Sequence, residues 1–469
     1  MTKMTKKQMV YGANDTPPLP ILLLAGAQHV LTLFGATTLV PLICGAAMKM
    51  TPAQMAQFIG CVYLSMGIAT LMQTHPRLGT GLPIVQGSSF SFIPPIMTLI
   101  GLYGAGGPEY VLQHLAGGLI VGGLLLASLG YSGLIGRIRK FITPVVIGPT
   151  IMAIGFSLAP TAVDNASKNW PISLIVVLLI FLFSLVLKNK LLNIFAILSS
   201  VVLAYLICVL ATQLGWVGEG HPIYVSFENV AQASTWRTEL FIPWGMPKFS
   251  LPAISAMLAG FFAVMIESIG DYHSCSYASG LPDPDSGTIS RGIGAEGLAC
   301  ALSGCLGSVA TTSYTENIGL INLTGVASRN VVRVGAVLLI GMGLLGKLGA
   351  LAATMPTPVI GGAYIALFGS IGALGIQVLM RADMSSQRNV LIVGFSFLMA
   401  LGLPGWVEQE GVRELFVGSR NVVLSSLGGM LWAILKTPMA VAGLCATLCD
   451  SLTPGTDEER GLSRSVPEA

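Results

Sequence analysis

Charge is what this chain has least of. Lys and Arg number 24 and Asp and Glu 21, so 10% of the 469 residues are charged, against about 25% in soluble domains. That is too little to cover a soluble surface of this size. The net charge of +3 is small and the basic residues are scattered, which argues against a nucleic-acid partner. The five histidines are scattered too, with no HExxH, Cys/His cluster or P-loop, so neither a metal centre nor an ATP-driven pump is supported. Eight cysteines, at 44, 61, 208, 275, 300, 305, 445 and 449, contain no CxxC pair and read as small buried residues within apolar runs. No cleavable signal peptide is visible either. The first 19 residues are polar, with Lys3, Lys6 and Lys7, and the first apolar run is a full span.

What the chain has in quantity is apolar surface. It is 53% hydrophobic with a mean hydropathy of +0.77, the composition of a multi-pass membrane protein surrounded by lipid. Fifty-seven glycines and 26 prolines suit membrane helices that pack closely or break. Apolar runs fall near 20–48, 54–73, 84–103, 111–134, 143–162, 170–187 and 192–213, then, after a polar interval at 214–249, near 250–274, 289–308, 312–326, 331–353, 357–380, 389–404 and 421–447. The expected fold is therefore all-α with 14 transmembrane segments. Spans 3 and 10, at 84–103 and 312–326, are interrupted by Gly, Ser, Asn or Pro and are expected to be broken.

With the amino terminus placed inside, alternate loops hold Arg77; Arg137, Arg139 and Lys140; Lys188 and Lys190; Arg291; Arg329 and Arg333; and Arg381 and Arg388. The opposite loops hold only Lys49, Lys168, Arg237, Lys248 and Arg413. The positive-inside rule thus predicts cytoplasmic termini and an even number of spans. The interval 214–249, with Tyr224, Phe227, Trp236 and Trp244, then becomes an ordered outer cap, and the acidic tail from Asp450 onward a mobile cytoplasmic segment.

An internal echo divides the chain. Thr143-Pro-Val-Val-Ile-Gly148 opens the fifth span and Thr357-Pro-Val-Ile-Gly-Gly362 the twelfth, and the two interrupted spans are also seven apart. Seven is odd, so the second half is inserted upside down. Such a 7+7 inverted repeat with broken helices at equivalent places is a transporter pattern. The expected divisions are a cytoplasmic segment 1–19, a first repeat 20–213, the loop 214–249, a second repeat 250–447 and a cytoplasmic tail 448–469.

Three stretches carry the polar groups of a mid-membrane site. Glu267 and Asp271, four apart, share one face of the eighth span. Away from bulk water two such carboxylates do not both ionise readily, and a group whose charge changes as a site moves between solvents is what proton coupling needs. Glu316 and Asn317 sit on the broken tenth span, where a carboxylate and free backbone N–H groups together read a planar ligand with adjacent N–H and C=O groups. Gly87-Ser-Ser-Phe-Ser-Phe-Ile93 alternates small polar with large apolar residues, which predicts a short extended piece before Pro94-Pro95. Extended pieces from the two broken spans can pair, and Phe90 can stack on a flat ring. Gln28-His29 lies inside the first span, where a histidine either relays protons or bonds across helices.

Gln28-His29 with Phe34-Gly-Ala36, Gln86-Gly-Ser-Ser-Phe90, Glu267-Ser-Ile-Gly-Asp271 and Glu316-Asn-Ile-Gly-Leu-Ile-Asn-Leu-Thr-Gly325 resemble the nucleobase–ascorbate transporter family, also called nucleobase:cation symporter-2, over roughly 20–440. The resemblance implies a core domain (spans 1–4 and 8–11) that moves against a gate domain (spans 5–7 and 12–14), in a homodimer in the plasma (inner) membrane. It implies import of a nucleobase with a proton, sodium being left open as coupling ion, and no cofactor. By position, Glu267 and Glu316 would hold the base, with Ser89, Thr315, Asn317 and Gly319 assisting and Phe90 stacking; His29, Asp271 and Glu267 would serve proton coupling. Glu316 before Asn317 looks like uracil-type members, whereas Glu-Ser-Ile-Gly-Asp looks like purine and ascorbate members. Uracil is placed ahead of xanthine or another purine, and ascorbate behind both. A sulfate-type anion carrier is the competing transport reading, disfavoured because two carboxylates repel an anion. A membrane-embedded enzyme would need a nucleophile–base pair or metal cluster, and the sequence has neither at a fixed spacing.

Overall fold

A computed structural model describes residues 9–135, 142–187, 195–417, 428–429, 431–432 and 434–461. The expected inner-loop residues Arg137, Arg139, Lys140, Lys188 and Lys190, the amino-terminal Lys3, Lys6 and Lys7, and positions 421–427 of the last expected span lie outside the described residues. In chain order come α1 (Leu19–Ala47), α2 (Pro52–Gln73), β1 (Gln86–Ser88), α3 (Ile93–Tyr103), α4 (Pro108–Tyr131), α5 (Pro144–Ser157), α6 (Ala159–Ser167), α7 (Trp170–Phe181) and α8 (Ala196–Gln213). After the loop with its short helix α9 (Glu228–Gln232) follow α10 (Leu251–Ala278), α11 (Ser286–Cys305), β2 (Thr311–Ser313), α12 (Thr315–Thr324), α13 (Arg329–Leu344) and α14 (Gly346–Ala353). The chain closes with α15 (Thr357–Leu379), α16 (Gln387–Val407), α17 (Glu410–Val417) and α18 (Pro438–Leu452). Eight helical segments among the described residues are long and apolar enough to cross a bilayer, α5 and α6 counting as one. Shorter apolar helices occupy Phe90–Gly106, Trp170–Val186 and Pro438–Leu452.

The helices approach closely where glycines face each other. On α4 and α11 a methyl group added at Gly297 would lie 2.4 Å from the Ala127 amide nitrogen, and one at Gly123 would lie 2.6 Å from the Gly297 carbonyl. Backbone contact of this kind replaces the hydrophobic drive that is missing between helices in lipid.

The loop 214–249 is ordered and covers one end of the bundle, the cap end. Trp244 is buried, its indole N–H donating to the Gly307 carbonyl at 2.8 Å, while Phe227 and Trp236 are exposed. Between α13 and α14 the helical path breaks at Leu345, and the loop fills the break: Arg237 N donates to Leu344 O and Gly346 N to Thr235 O. The Arg237 guanidinium reaches further in, to the Gly343 carbonyl at 2.9 Å. Backbone groups freed within an apolar layer thereby keep their partners.

The opposite, terminus end gathers the amino-terminal segment and the basic residues of the expected inner loops. Arg329 bonds the Gly81 carbonyl, and Arg333 the Thr74 carbonyl at 3.1 Å. Val10 N donates to Gly325 O, which ties the segment before α1 to the end of α12. The tail was expected to be mobile from Asp450, and through Gly461 the structure differs. Asp450 is buried in the last turn of α18, accepting from Arg388 Nη2 at 2.7 Å and Thr143 Oγ1 at 3.2 Å, while Asn389 Nδ2 donates to the Glu459 carbonyl at 2.7 Å. A buried carboxylate needs such partners, and supplying them anchors the tail. The cysteines are free, five buried and Cys305, Cys445 and Cys449 half-buried.

Gly297→Ala forces α4 and α11 apart and is expected to cost about 1–3 kcal/mol, read as a lower melting temperature of the purified protein. Gly394→Ala, where an added methyl meets open space, should leave the melting temperature unchanged.

Candidate functional site

The centre of the molecule is a two-stranded antiparallel ribbon in which Gln86 faces Ser313, Gly87 faces Thr312 and Ser88 faces Thr311. The extended piece expected over 87–93 is shorter than its alternating pattern suggested. After Ser88 the chain turns through a 3₁₀ turn at Phe90–Phe92 into α3, which holds Pro94 and Pro95 in its first turn. Proline costs nothing there, because the first amides of a helix have no internal partner. Gly87 has no side chain because the Tyr314 ring lies against it; a Cβ would sit 2.2 Å from that ring. Pro41 inside α1 has no N–H, which leaves the Thr37 carbonyl without its helical donor. Ser88 Oγ supplies one at 2.9 Å and so docks β1 on α1.

Glu267 and Asp271 project from α10, and Thr315, Glu316 and Asn317 form the first turn of α12. Ser91 Oγ donates to Glu267 Oε2 at 3.1 Å. The carboxylates of Asp271, Glu296 and Glu316 are near enough to Glu267 to act on it electrostatically. Asp271 is buried and accepts from Ser313 Oγ at 2.7 Å and Thr315 Oγ1 at 2.8 Å. The carboxylate one turn below Glu267 is thereby fastened to β2 and to the start of α12. Glu316 is exposed, at a helix amino terminus that favours negative charge.

Asn317 is turned the other way. Its Nδ2 donates to His29 Nδ1 and to the His29 carbonyl, both at 3.0 Å, joining α12 to α1. His29 is buried and bonds across helices; the structure brings it to Asn317, with no hydrogen bond to Glu267 or Asp271 among the described residues. Phe90 is buried with its ring edge-on to Phe368 at 5.9 Å, and Phe368 stacks on Tyr364 at 5.2 Å. Ser89 N donates to the Ala310 carbonyl at 3.0 Å. Ser89 Oγ and Asn317 Oδ1 are buried with no hydrogen-bond partner among the described residues, polar atoms of the kind a ligand satisfies. Methyl groups built on Gly270 and Gly319, each three residues past a glutamate on its helix, meet open space.

Sequence reasoning missed Glu296. It is buried on α11, accepting from Ser268 Oγ at 2.7 Å and from the Tyr272 hydroxyl at 2.9 Å; Tyr272 in turn accepts from Gln73 Nε2 at 2.7 Å. The signal was present: a glutamate within an expected span, Ala295-Glu-Gly297, deserved the same weight as Glu267.

Carboxylates and unpartnered polar atoms gathered where interrupted helices begin inside an apolar bundle are the pattern of a membrane transport protein. The comparisons give the family: residues 20–409 match the model of the Permease family, and the chain belongs to the nucleobase–ascorbate permeases. It is 32% identical to the rat "Solute carrier family 23 member 2", covering 98% of this chain and 77% of that one. It is 29% identical to "Nucleobase-ascorbate transporter 12" of Arabidopsis thaliana (97% and 71%) and 30% identical to "Uric acid permease PucK" of Bacillus subtilis strain 168 (89% and 96%). Among solved structures, the transmembrane domain of the cyanobacterial bicarbonate transporter BicA shares the fold, with TM-score 0.59 at 15% identity over 90% of this chain and 99% of that one.

Replacing Glu296 with Leu removes the acceptor of two buried hydroxyls and is expected to cost about 1–3 kcal/mol for each one orphaned. Thermal unfolding of Glu296→Leu beside Glu296→Gln, which keeps one acceptor oxygen, checks this. Equal melting temperatures for wild type and both variants would show that Ser268 and Tyr272 bond elsewhere.

Proposed function

We propose that this permease is a secondary-active, proton-coupled nucleobase importer of the plasma membrane, working by elevator-type alternating access. The observation that carries the reading is that Glu267 and Glu316, from α10 and α12, lie within electrostatic range of each other, with Asp271, one turn from Glu267, bonded to Thr315 beside Glu316; Gly270 and Gly319 leave space open on the same two helices. A pair of carboxylates suits a neutral heterocycle that offers several N–H donors, and it disfavours an anion such as ascorbate or sulfate. Glu267 and Glu316 hold the base, with the free oxygens of Ser89 and Asn317 and the amides near Thr315 completing its hydrogen bonds. Phe90 bounds the ring, and Gly319 leaves room for it. Uracil stands first, on the Glu316-Asn317 pair, and xanthine or another purine next, on the Glu267-Ser-Ile-Gly-Asp271 pattern.

Asp271 is the proton-coupling group, together with Glu267. Its two hydroxyl partners lie on β2 and α12, so a change in its charge is felt at the elements that present Glu316. His29 enters this coupling through the Asn317 it holds.

The wider reading is a 14-span, 7+7 inverted repeat. In its support, the echo segments Thr143–Gly148 and Thr357–Gly362 open α5 and α15, which pack antiparallel, with Gly148 near Gly375 and Gly155 near Gly372. Spans 1–4 and 8–11 form the core and spans 5–7 and 12–14 the gate, paired as a homodimer. The termini are cytoplasmic and the cap end faces outward. An exposed Glu316 and open space at Gly270 and Gly319, against a closed Phe90–Phe368–Tyr364 layer, fit a site open toward the cytoplasm.

The deciding experiment is competition of labelled uracil uptake in vesicles by xanthine, guanine, urate and ascorbate, with and without a pH gradient; failure of every nucleobase to compete overturns the reading. Glu316→Gln should lose about tenfold or more in base affinity, one charge-assisted hydrogen bond being worth roughly 1.5–3 kcal/mol. Glu267→Gln should weaken binding and flatten the pH dependence, whereas Asp271→Asn should alter the pH dependence of uptake more than affinity. Equal, total loss of both in Asp271→Asn would make Asp271 structural.

A further inference from the structure

A pocket of about 480 Å³ opens at the cap end, lined by Leu42, Ala46 and Met97 on one side and by Asn165, Thr357 and Tyr364 on the other. The first three belong to α1 and α3, which hold β1 and the Glu267 side of the site. The others belong to α6 and α15, on the far side of the interface. At the floor of the pocket the two sides are joined, among the described residues, by one side-chain bond: the Tyr364 hydroxyl of α15 donates to the Leu39 carbonyl of α1 at 2.7 Å. Tyr364 and Leu39 are buried, Tyr364 stacks on Phe368 with ring planes 14° apart, and Phe368 meets the edge of Phe90. Phe90 is one residue from Ser91, the hydroxyl bound to Glu267. Three rings therefore separate the pocket from the carboxylates, while beyond those carboxylates Gly270 and Gly319 face open space.

We propose that this pocket is the outer entrance vestibule for the transported base, and that the Tyr364–Leu39 hydrogen bond is the latch that shuts it from the Glu267–Glu316 site. The inference rests on the transport reading with the cap end outward. A buried tyrosine hydroxyl needs a partner, and here its partner lies across the interface, so the bond exists in one arrangement of the two sides and is lost when they separate. A single neutral hydrogen bond biases such an equilibrium without locking it. The aromatic stack beneath supplies the seal, and the polar side chains of Asn165 and Thr357 give an arriving heterocycle its first partners.

Accessibility tests this directly. In a full-length chain with its eight native cysteines replaced, Leu42→Cys is labelled by a membrane-impermeant maleimide added from the cap side of sealed vesicles. Tyr364→Phe, which keeps the ring and removes the hydroxyl, should raise the labelling rate at position 42 by roughly three- to tenfold. Phe368→Leu, which breaks the stack, should raise it as well, and carries the test if Tyr364→Phe does not fold. Glu219→Cys, exposed in the cap loop and outside the pocket, should label at the same rate in every background. An unchanged rate at position 42 in folded variants overturns the latch, and labelling only from the opposite side overturns the vestibule. No substrate is present in the assay, so a wrong assignment of the transported molecule would show in the uptake competition and leave this result untouched.

Discussion

Everything at the centre of this protein depends on three residues of backbone pairing with three others. A bilayer has no water to satisfy an interrupted helix, and an open strand edge in hydrocarbon is untenable. Pairing Gln86–Ser88 with Thr311–Ser313 solves that problem for both interruptions at once. It then allows α3 and α12 to begin in the middle of the molecule. The start of α12 places Glu316, Asn317 and the positive end of a helix dipole at a depth no continuous helix could offer. The ribbon's own side chains do further work: Ser88 docks on α1, and Ser313 holds Asp271.

The four central carboxylates form a graded series. Glu296 has two hydroxyl donors and sits deepest. Asp271 also has two, but both come from the ribbon and the helix it starts. Glu267 has one, from Ser91, and Glu316 has no side-chain donor among the described residues. Partners satisfied within the protein make a residue part of the scaffold, and unsatisfied ones leave it available to a ligand. That order separates structure from site more sharply than the presence of charge in an apolar run.

Much of this was legible beforehand because the signals were chemical. A carboxylate or an amide in an apolar run stands out, so Glu267, Asp271, Glu316 and Asn317 were visible, and the interrupted stretches around 87 and 313 announced non-helical backbone. The parts that were not legible depend on partners distant in sequence. Nothing local told that the period-two pattern of 87–93 would yield to a 3₁₀ turn once Phe92 packed on Phe261 at 4.9 Å. Glu296 was hidden by small neighbours that made its helix look unremarkable. The tail was judged by its acidity, whereas its position is set by Arg388, more than sixty residues upstream. Tyr364 read as one aromatic in an apolar helix, and its hydroxyl gains meaning only from the carbonyl across the interface.

The cap has a mechanical corollary. Its first half is fastened to α8, where Val225 N donates to Thr212 Oγ1 at 3.1 Å, and its second half to the α13–α14 junction through Thr235 and Arg237. Between these anchors run about ten residues, five of them in α9. With that helix intact the leash reaches roughly 25 Å, and fully drawn out roughly 35 Å. Any movement of α8 relative to the α13–α14 junction is bounded by that length, and shortening the leash residue by residue would measure it.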